Sequence, residues 1–320
     1  MSESFTALPA GLVSAVAGRA ADPLLGRAAQ RAGVDGDSWL GRLPRTVADL
    51  CREWALTPDG PARHGMCALA LPVVGEDGPA MLKVTWPHVE AATEHLALRH
   101  WDGRGSVRLL RADPPRWALL LERLDPDRDL HGIPVDEACE IVGDLLRCLH
   151  VPAPASIPRL AEYAARRAAD FTAALRAGAT PVPRRFLDQA RGLATELAAE
   201  PSATDRLVHT DLHYANVLAG ERAGTELWLA IDPKPAAGDP AAEIAPLLHN
   251  RAAELGTGAA VRPALRRRLE IVCAAAGIDE HRARAWTIVR EMDNALDLAA
   301  EPGGSDRVSL AVAIIKAMQP

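Results

Sequence analysis

The stretch LVHTDLHYANVLAG, Leu207–Gly220, places an Asp, two His and an Asn between two short apolar runs. It constrains the fold more than any other part of the chain, because it interrupts a region that otherwise reads as helical. The apolar ends have the length and residue types of strands, and the polar residues fall in the gap. The next apolar run, LWLAID (Leu227–Asp232), ends on another carboxylate, and it is expected to pair with the first stretch as a small hairpin. A loop entering a hairpin can point several polar side chains at one spot, which is where binding and catalytic residues concentrate.

The remaining chain sorts into two parts. Apolar residues at helical spacing predict a helix over Thr46–Leu56, inside a first segment of helices and loops. Cys67–Val74 and Ala80–Trp86 flank GEDG, the turn chemistry of a β-hairpin. His88–Trp101 reads as a helix anchored by Val89, Leu96 and Trp101. SVRLLRAD and WALLLERL read as two more strands joined by DPPR. From Asp136 onward helices dominate, through Arg262–Gly277, His281–Ala300 and Val308–Met318. The junction LERLDPDRDL is expected to be a hinge between a β-rich and a helical part.

Length and charge narrow the function. A chain of 320 residues is too long for one small core and fits two lobes. The net charge of −6 is opposite in sign to a nucleic-acid binder and favours cationic small molecules. No apolar run approaches the roughly 18–20 residues of a membrane span, and the first residues lack a basic stretch before their apolar part, so a cytoplasmic protein is expected. The five Cys are scattered without Cys-x-x-Cys spacing, which predicts reduced core thiols. Of 36 basic residues only Lys83, Lys234 and Lys316 are Lys. A Lys kept in so Arg-rich a chain is a candidate for a place where chemistry requires one; chance retention on the surface is the alternative, expected for two of the three.

Asp211 and Asn216, four residues apart in between, and the strand-terminal Asp232 suit phosphoryl transfer from a nucleotide. One carboxylate orients the attacking hydroxyl and takes its proton, while an amide oxygen and a second carboxylate hold Mg²⁺. A cation on the phosphates is also needed. Lys83 in MLKV fits that role, with Glu94 or Glu90 on the following helix to position it. His209 and His213 are expected to order the loop by hydrogen bonds; the rival is a zinc hydrolase built on His-x-Asp-x-His. Asp239 before Pro240 reads as a helix start that also orders this region. Lys316 reads as a surface residue, and Lys234 either neutralises phosphate or faces solvent.

His209-x-Asp211-x4-Asn216 followed by Asp232 resembles the catalytic and metal-binding signature of the protein-kinase-like fold. HTDLHYANVL…AIDPKPAAGDPAAEIAPLL, LKVTWP, WDGRGSVRLL and LLLERL are similar to the aminoglycoside phosphotransferase branch, and within it to the streptomycin 6-kinase group, also described as aminoglycoside/hydroxyurea resistance kinases. The likeness runs roughly from Arg63 to Ala299. It implies an α+β bilobal fold with the active site in the cleft. The expected organisation is an N-terminal lobe over 1–122, a hinge over 123–130 and a mainly helical C-terminal lobe over 131–320. It implies ATP and Mg²⁺ as cofactors, Asp211 as base, Asn216 and Asp232 on the metal and Lys83 on the ATP phosphates. The backbone of Glu122, Arg123 and Leu124 would meet adenine. Of the glycine-rich phosphate loop only Gly65 stands in place. Two departures matter: the metal motif is Asp232-Pro233-Lys234, and Thr210 replaces the Arg that gates activation loops in protein kinases, so a constitutively active small-molecule kinase is expected. The acceptor is expected to be a cationic hydroxylated small molecule, and the protein a monomer that binds neither nucleic acid nor membrane. Glu243, Asn250, Asp293 and Asn294 are the acceptor-site candidates, with Asp297 on a solvated face. The alternatives are another acceptor (hydroxyurea, an amino sugar or a further metabolite) or a nucleotide-binding pseudokinase.

Overall fold

Strand alternation builds the first part of the molecule. The computed structural model describes residues 8–20, 35–178, 182–199, 205–299 and 304–320. The chain divides into two compact units between Asp125 and Pro126. In the first, β1 (Thr57–Pro58), β2 (Arg63–His64), β3 (Ala68–Gly75), β4 (Gly78–Thr85), β5 (Leu109–Asp113) and β6 (Ala118–Glu122) form an antiparallel sheet of order β1-β3-β4-β6-β5, with β2 on β3. The β3–β4 hairpin pairs Gly75 with Gly78 around Glu76 and Asp77, and Gly78 has φ of 103°, a conformation that favours glycine.

On β3 the buried residues are Leu69, Leu71 and Val73, and on β4 Leu82 and Val84 share a face with Ala80. They form one core with Leu12 and Val16 of the helix Ala10–Ala20 and with Leu43, Val47 and Leu50 of the helix Gly36–Glu53. The period of two therefore turns Lys83 to the face away from these helices. The helix expected over Thr46–Leu56 begins ten residues earlier, capped by Asp35 Oδ1 on Ser38 N–H at 2.9 Å, and it runs through Pro44. It ends at Glu53, with Ala55 at φ 53°.

The expected His88–Trp101 helix is two pieces, a 3₁₀ turn at Val89–Ala91 and a helix at Glu94–Trp101. Of the expected anchors Trp101 is buried, Leu96 half-buried and Val89 exposed; Ala97 and Leu98 are buried beside Trp101. DPPR forms a 3₁₀ turn whose first residue, Asp113, accepts from Arg116 N–H at 3.1 Å, and the strand before it starts only at Leu109. Most of segment 123–130 is strand, β7 (Asp125–Asp129).

The second unit is mainly helical: Val135–Leu149, Leu160–Ala177, Arg184–Ala199, Ala245–His249, Val261–Ala276, Glu280–Ala299 and Ser305–Ala317. Two small sheets interrupt the helices. One is ordered β10-β9-β7, with β9 at Val217–Arg222 and β10 at Thr225–Ala230; the other pairs β8 (Arg206–Val208) with β11 (Ala236–Gly238). The hairpin expected between the two apolar runs thus involves only the second half of LVHTDLHYANVLAG. Its first half pairs with Ala236–Gly238, and the polar loop spans the two sheets. Helices Val135–Leu149 and Val261–Ala276 approach so closely at Gly143 that a Cβ there would lie 2.5 Å from Ala275 Cβ. No described helix is long and apolar enough to cross a membrane. All five Cys are free, but only Cys67, Cys139 and Cys273 are buried; Cys51 is half-buried and Cys148 exposed, which corrects the expectation of five core thiols.

Candidate active site

The first unit holds a buried cation. Lys83 is 8% and Glu94 3% exposed, and Lys83 Nζ stands 2.6 Å from Glu94 Oε1. Of the two carboxylates considered for this pairing, Glu94 makes the contact, because it opens the helix, whereas Glu90 lies in the preceding 3₁₀ turn and is exposed. Gly65 lies between β2 and β3, its N–H donating to Ala68 C=O at 3.0 Å, and a Cβ there would meet nothing within 4 Å. Glu122 N–H is already engaged by Arg108 C=O at 3.0 Å. The Arg123 guanidinium is also committed, to the carbonyls of Ala80 and Val73 and to Asp59, while Leu124 is buried.

In the second unit the loop between β8 and β9 carries Asp211 and Asn216. Asn216 Nδ2 donates to Asp211 C=O at 2.9 Å, which fixes the amide and leaves Oδ1 as its acceptor atom. Asp232 lies two residues past β10, exposed, with φ of 55°. Asn216 and Asp232 offer hard oxygen donors, one amide and one carboxylate. That set fits Mg²⁺, which binds through one or two protein oxygens together with phosphates. Lys234 lies at the site, its Nζ 3.1 Å from Asp211 Oδ2.

The loop is held in an unusual backbone shape. Thr210, β-branched, has φ of 60°, a strained value for such a residue. Each of its polar groups has a partner. Its N–H donates to Glu243 Oε2 at 2.9 Å, its hydroxyl to Lys234 C=O at 2.6 Å, and its own C=O accepts from Arg290 Nη2 at 2.8 Å. His209 is fully buried. Its Nε2 donates to Ile231 C=O at 2.9 Å and its Nδ1 accepts from Asp211 N–H at 3.3 Å, the pattern of one neutral tautomer. Burial pushes its pKa below the usual value. With both ring nitrogens engaged, His209 is not a zinc ligand, and among the described residues no three His, Cys, Asp or Glu side chains form a metal-binding group.

Several expectations are corrected here. Glu243 is 1% exposed and lies beneath the loop, accepting from the N–H groups of His209 (2.6 Å) and Thr210; it does not line an acceptor site. Burial raises the Glu243 pKa, but the nearby His150 imidazole, with Nε2 3.5 Å from Oε1, and then His209 outweigh it, and the carboxyl is held below its usual range. His213 orders the loop through its backbone C=O, which accepts from Asn216 N–H at 2.9 Å; its ring Nδ1 is buried without a partner among the described residues. Asp293 is bound by Arg167 and by the Tyr163 hydroxyl at 2.8 Å, so its charge is neutralised within the protein. Asn294 donates to Glu291 at 3.2 Å, and Asn250 Nδ2 to Pro246 C=O at 2.7 Å. Asp239 caps the turn Pro240–Glu243 and also accepts from Arg282 and Trp286, ordering the segment that carries Glu243. Asp297 and Lys316 are exposed, as expected. Sequence reasoning missed Arg290 and His150. Each acts across 80 or more residues of chain, on Thr210 and Glu243 respectively, or carries no local motif; the only signal was an Arg one turn before Asp293 and Asn294.

A sheet unit with a buried Lys–Glu pair, followed by a helical unit with an Asp-x4-Asn loop and a strand-terminal Asp, defines a phosphotransferase of the protein-kinase-like fold. A choline/ethanolamine kinase family protein from Mesorhizobium loti superposes with a TM-score of 0.56 at 17% identity, over 85% of this chain and 94% of that one. The chain belongs to the aminoglycoside/hydroxyurea antibiotic resistance kinase family, whose model matches residues 53–301. It is 45% identical to the hydroxyurea phosphotransferase of Kitasatospora aureofaciens over 82% of this chain and 75% of that protein. It is 40% identical to the streptomycin 6-kinase of Streptomyces glaucescens over 86% and 89%.

Proposed function

We propose that the protein transfers the γ-phosphoryl group of ATP, in the presence of Mg²⁺, to a hydroxyl of an aminoglycoside of the streptomycin type. The observation that carries this reading is the Asp211–Asn216 loop. A carboxylate and an amide are fixed on one short segment by the Asn216–Asp211 bond and by the three bonds that hold Thr210. Asp211 orients the acceptor hydroxyl and takes its proton. Lys83, positioned by Glu94, binds the nucleotide phosphates, and Asn216 and Asp232 hold the metal. Mg²⁺, when bound, supplies positive charge to the phosphate oxygens. The acceptor class is supported by the 40% identity to a streptomycin 6-kinase.

Hydroxyurea is the second reading, favoured by the 45% identity to a hydroxyurea phosphotransferase. It too presents a hydroxyl, so the same Asp211 chemistry serves. Phosphate transfer from labelled ATP to streptomycin and to hydroxyurea, measured side by side, separates the two. Asp211→Asn is expected to lower kcat by about 10²–10⁴-fold with nucleotide affinity nearly unchanged, because the lost interaction belongs to the transition state. A variant that keeps more than about a tenth of kcat removes Asp211 from the role. Mg²⁺ or Mn²⁺ should support turnover and Zn²⁺ should not.

A further inference from the structure

Lys234 is the cation that the assigned chemistry has not used. Its Nζ lies 3.1 Å from Asp211 Oδ2, with its side chain 34% exposed and that of Asp211 20%. The contact is built in from the main chain outward. Lys234 N–H donates to His209 C=O at 3.0 Å, and Lys234 C=O accepts from the Thr210 hydroxyl at 2.6 Å. Two residues later the same segment becomes β11, paired with β8 in the register Ala236–Val208. The residue is therefore tied at both backbone groups to the two residues that precede Asp211. The position of its backbone is a property of the loop, and from there the side chain reaches Asp211 Oδ2.

An ordinary ion pair beside a catalytic carboxylate needs explaining in a chain that uses Arg for 33 of its 36 basic residues. Arg would hold a carboxylate as well or better, through two parallel bonds. A compact ammonium has a different merit: it can share its three donors between a carboxylate and a second anion in a small space. Asp211 also faces an electrostatic difficulty. A carboxylate that accepts a proton from the attacking hydroxyl must stand beside an incoming phosphoryl group that is itself anionic, and the two repel.

We propose that Lys234 is a catalytic group of the transfer step, its ammonium shared between Asp211 Oδ2 and the γ-phosphoryl oxygens. This rests on the phosphotransfer reading above. In the step, the acceptor oxygen forms a bond to the γ-phosphorus and the bond to the β,γ-bridging oxygen breaks. The electron pair leaves on ADP, and the hydroxyl proton passes to Asp211 Oδ1 and then to solvent. Lys234 keeps its protons throughout. It holds Oδ2, so that Oδ1 is the oxygen turned to the acceptor, and it offsets charge between the carboxylate and the phosphoryl group. Lys234 then serves the part of the triphosphate that is transferred, and not the part that ADP retains.

The test is the affinity of the full-length protein for ADP and for the non-hydrolysable AMP-PNP, by calorimetry with Mg²⁺, in wild type, Lys234→Met and Lys83→Met. Lys234→Met should weaken AMP-PNP on the order of ten-fold or more, as for loss of one charge-assisted hydrogen bond, and leave ADP within about two-fold. Lys83→Met should weaken both. Lys234→Arg should restore part of the AMP-PNP affinity but not kcat, because its fork fits the phosphate but displaces Asp211. Thermal melting identifies any variant that has lost its fold, and for such a variant Lys234→Gln takes its place. If the wild type binds both nucleotides and Lys234→Met leaves their ratio unchanged, the role of Lys234 is overturned and the phosphotransfer reading stands. If the wild type binds neither nucleotide, that reading falls and the Lys234 role falls with it.

Discussion

Lys83 shows what a single side chain contributes. Its ammonium is buried and lies 2.6 Å from Glu94, so the charge is held where water cannot replace its partner. A guanidinium there is longer, planar and forked, and cannot occupy the same point. Lys83→Arg should therefore lose at least about ten-fold in kcat/KM for ATP while the protein remains folded. Lys316→Arg, on an exposed position, should be silent in the same phosphate-transfer assay. Wild-type activity in Lys83→Arg would end the assignment of this residue to the phosphates. At this scale the sequence marks Lys83 by residue type and Asp211, Asn216 and Asp232 by short spacing; what it leaves open, Glu90 or Glu94 beside Lys83, is decided by the helix start at Glu94. Glu243 was misread because a carboxylate in a sequence does not reveal whether it faces a ligand or the underside of a loop. Here the backbone N–H groups of His209 and Thr210 claim both its oxygens.

At the scale of the element, the loop from His209 to Asn216 stores strain that its supports must hold. Glu243→Gln replaces one accepting oxygen with a donor and leaves a buried N–H without a partner. It should cost about 1–3 kcal/mol in urea unfolding and lower kcat more than KM for ATP, since the loop carries Asp211. Unchanged stability would show that the Thr210 conformation is held by Arg290 and Lys234 alone. The His209 ring gives the same loop a pH dependence. Its folded pKa is depressed by burial, so the unfolded chain binds the proton first as pH falls. The stability it contributes is full above the unfolded value, about 6.5, and is lost progressively below it as pH falls toward the folded value. The urea midpoint should drop between about pH 7.5 and 5.5, and His209→Asn should flatten that drop; equal slopes in the two proteins would assign the titration elsewhere. The elements themselves were unevenly legible. The Gly75–Gly78 hairpin was plain because its turn residues are local. The β8–β11 pair was not, because Ala236–Gly238 has no β-branched or aromatic residue and its partner lies far away in sequence. Pro44 hid the first ten residues of the helix Gly36–Glu53, since a proline ordinarily marks a helix boundary.

At the scale of the whole molecule, the net charge of −6 becomes the acceptor's concern. The carboxylates that were candidates for a guanidinium partner are already committed. Asp293 is paired with Arg167, and Glu243, 1% exposed, accepts from the N–H groups of His209 and Thr210. If the acceptor is cationic, the field of the acidic chain attracts it, and such a field acts through solvent and is screened by salt. The Debye length falls from about 10 Å at 0.1 M to about 3 Å at 1 M ionic strength. KM for streptomycin should therefore rise several-fold between low and high salt. KM for hydroxyurea, which is neutral, should stay flat, and KM for the anionic nucleotide should not rise in parallel. The measurement is one salt titration with three substrates, each varied while the others are saturating. A streptomycin KM that ignores salt would mean that short, desolvated contacts recognise the acceptor. It would return the search to a carboxylate close to Asp211. A parallel rise in all three would point to salt acting on the protein itself, and the long-range attraction argued from its charge would be withdrawn.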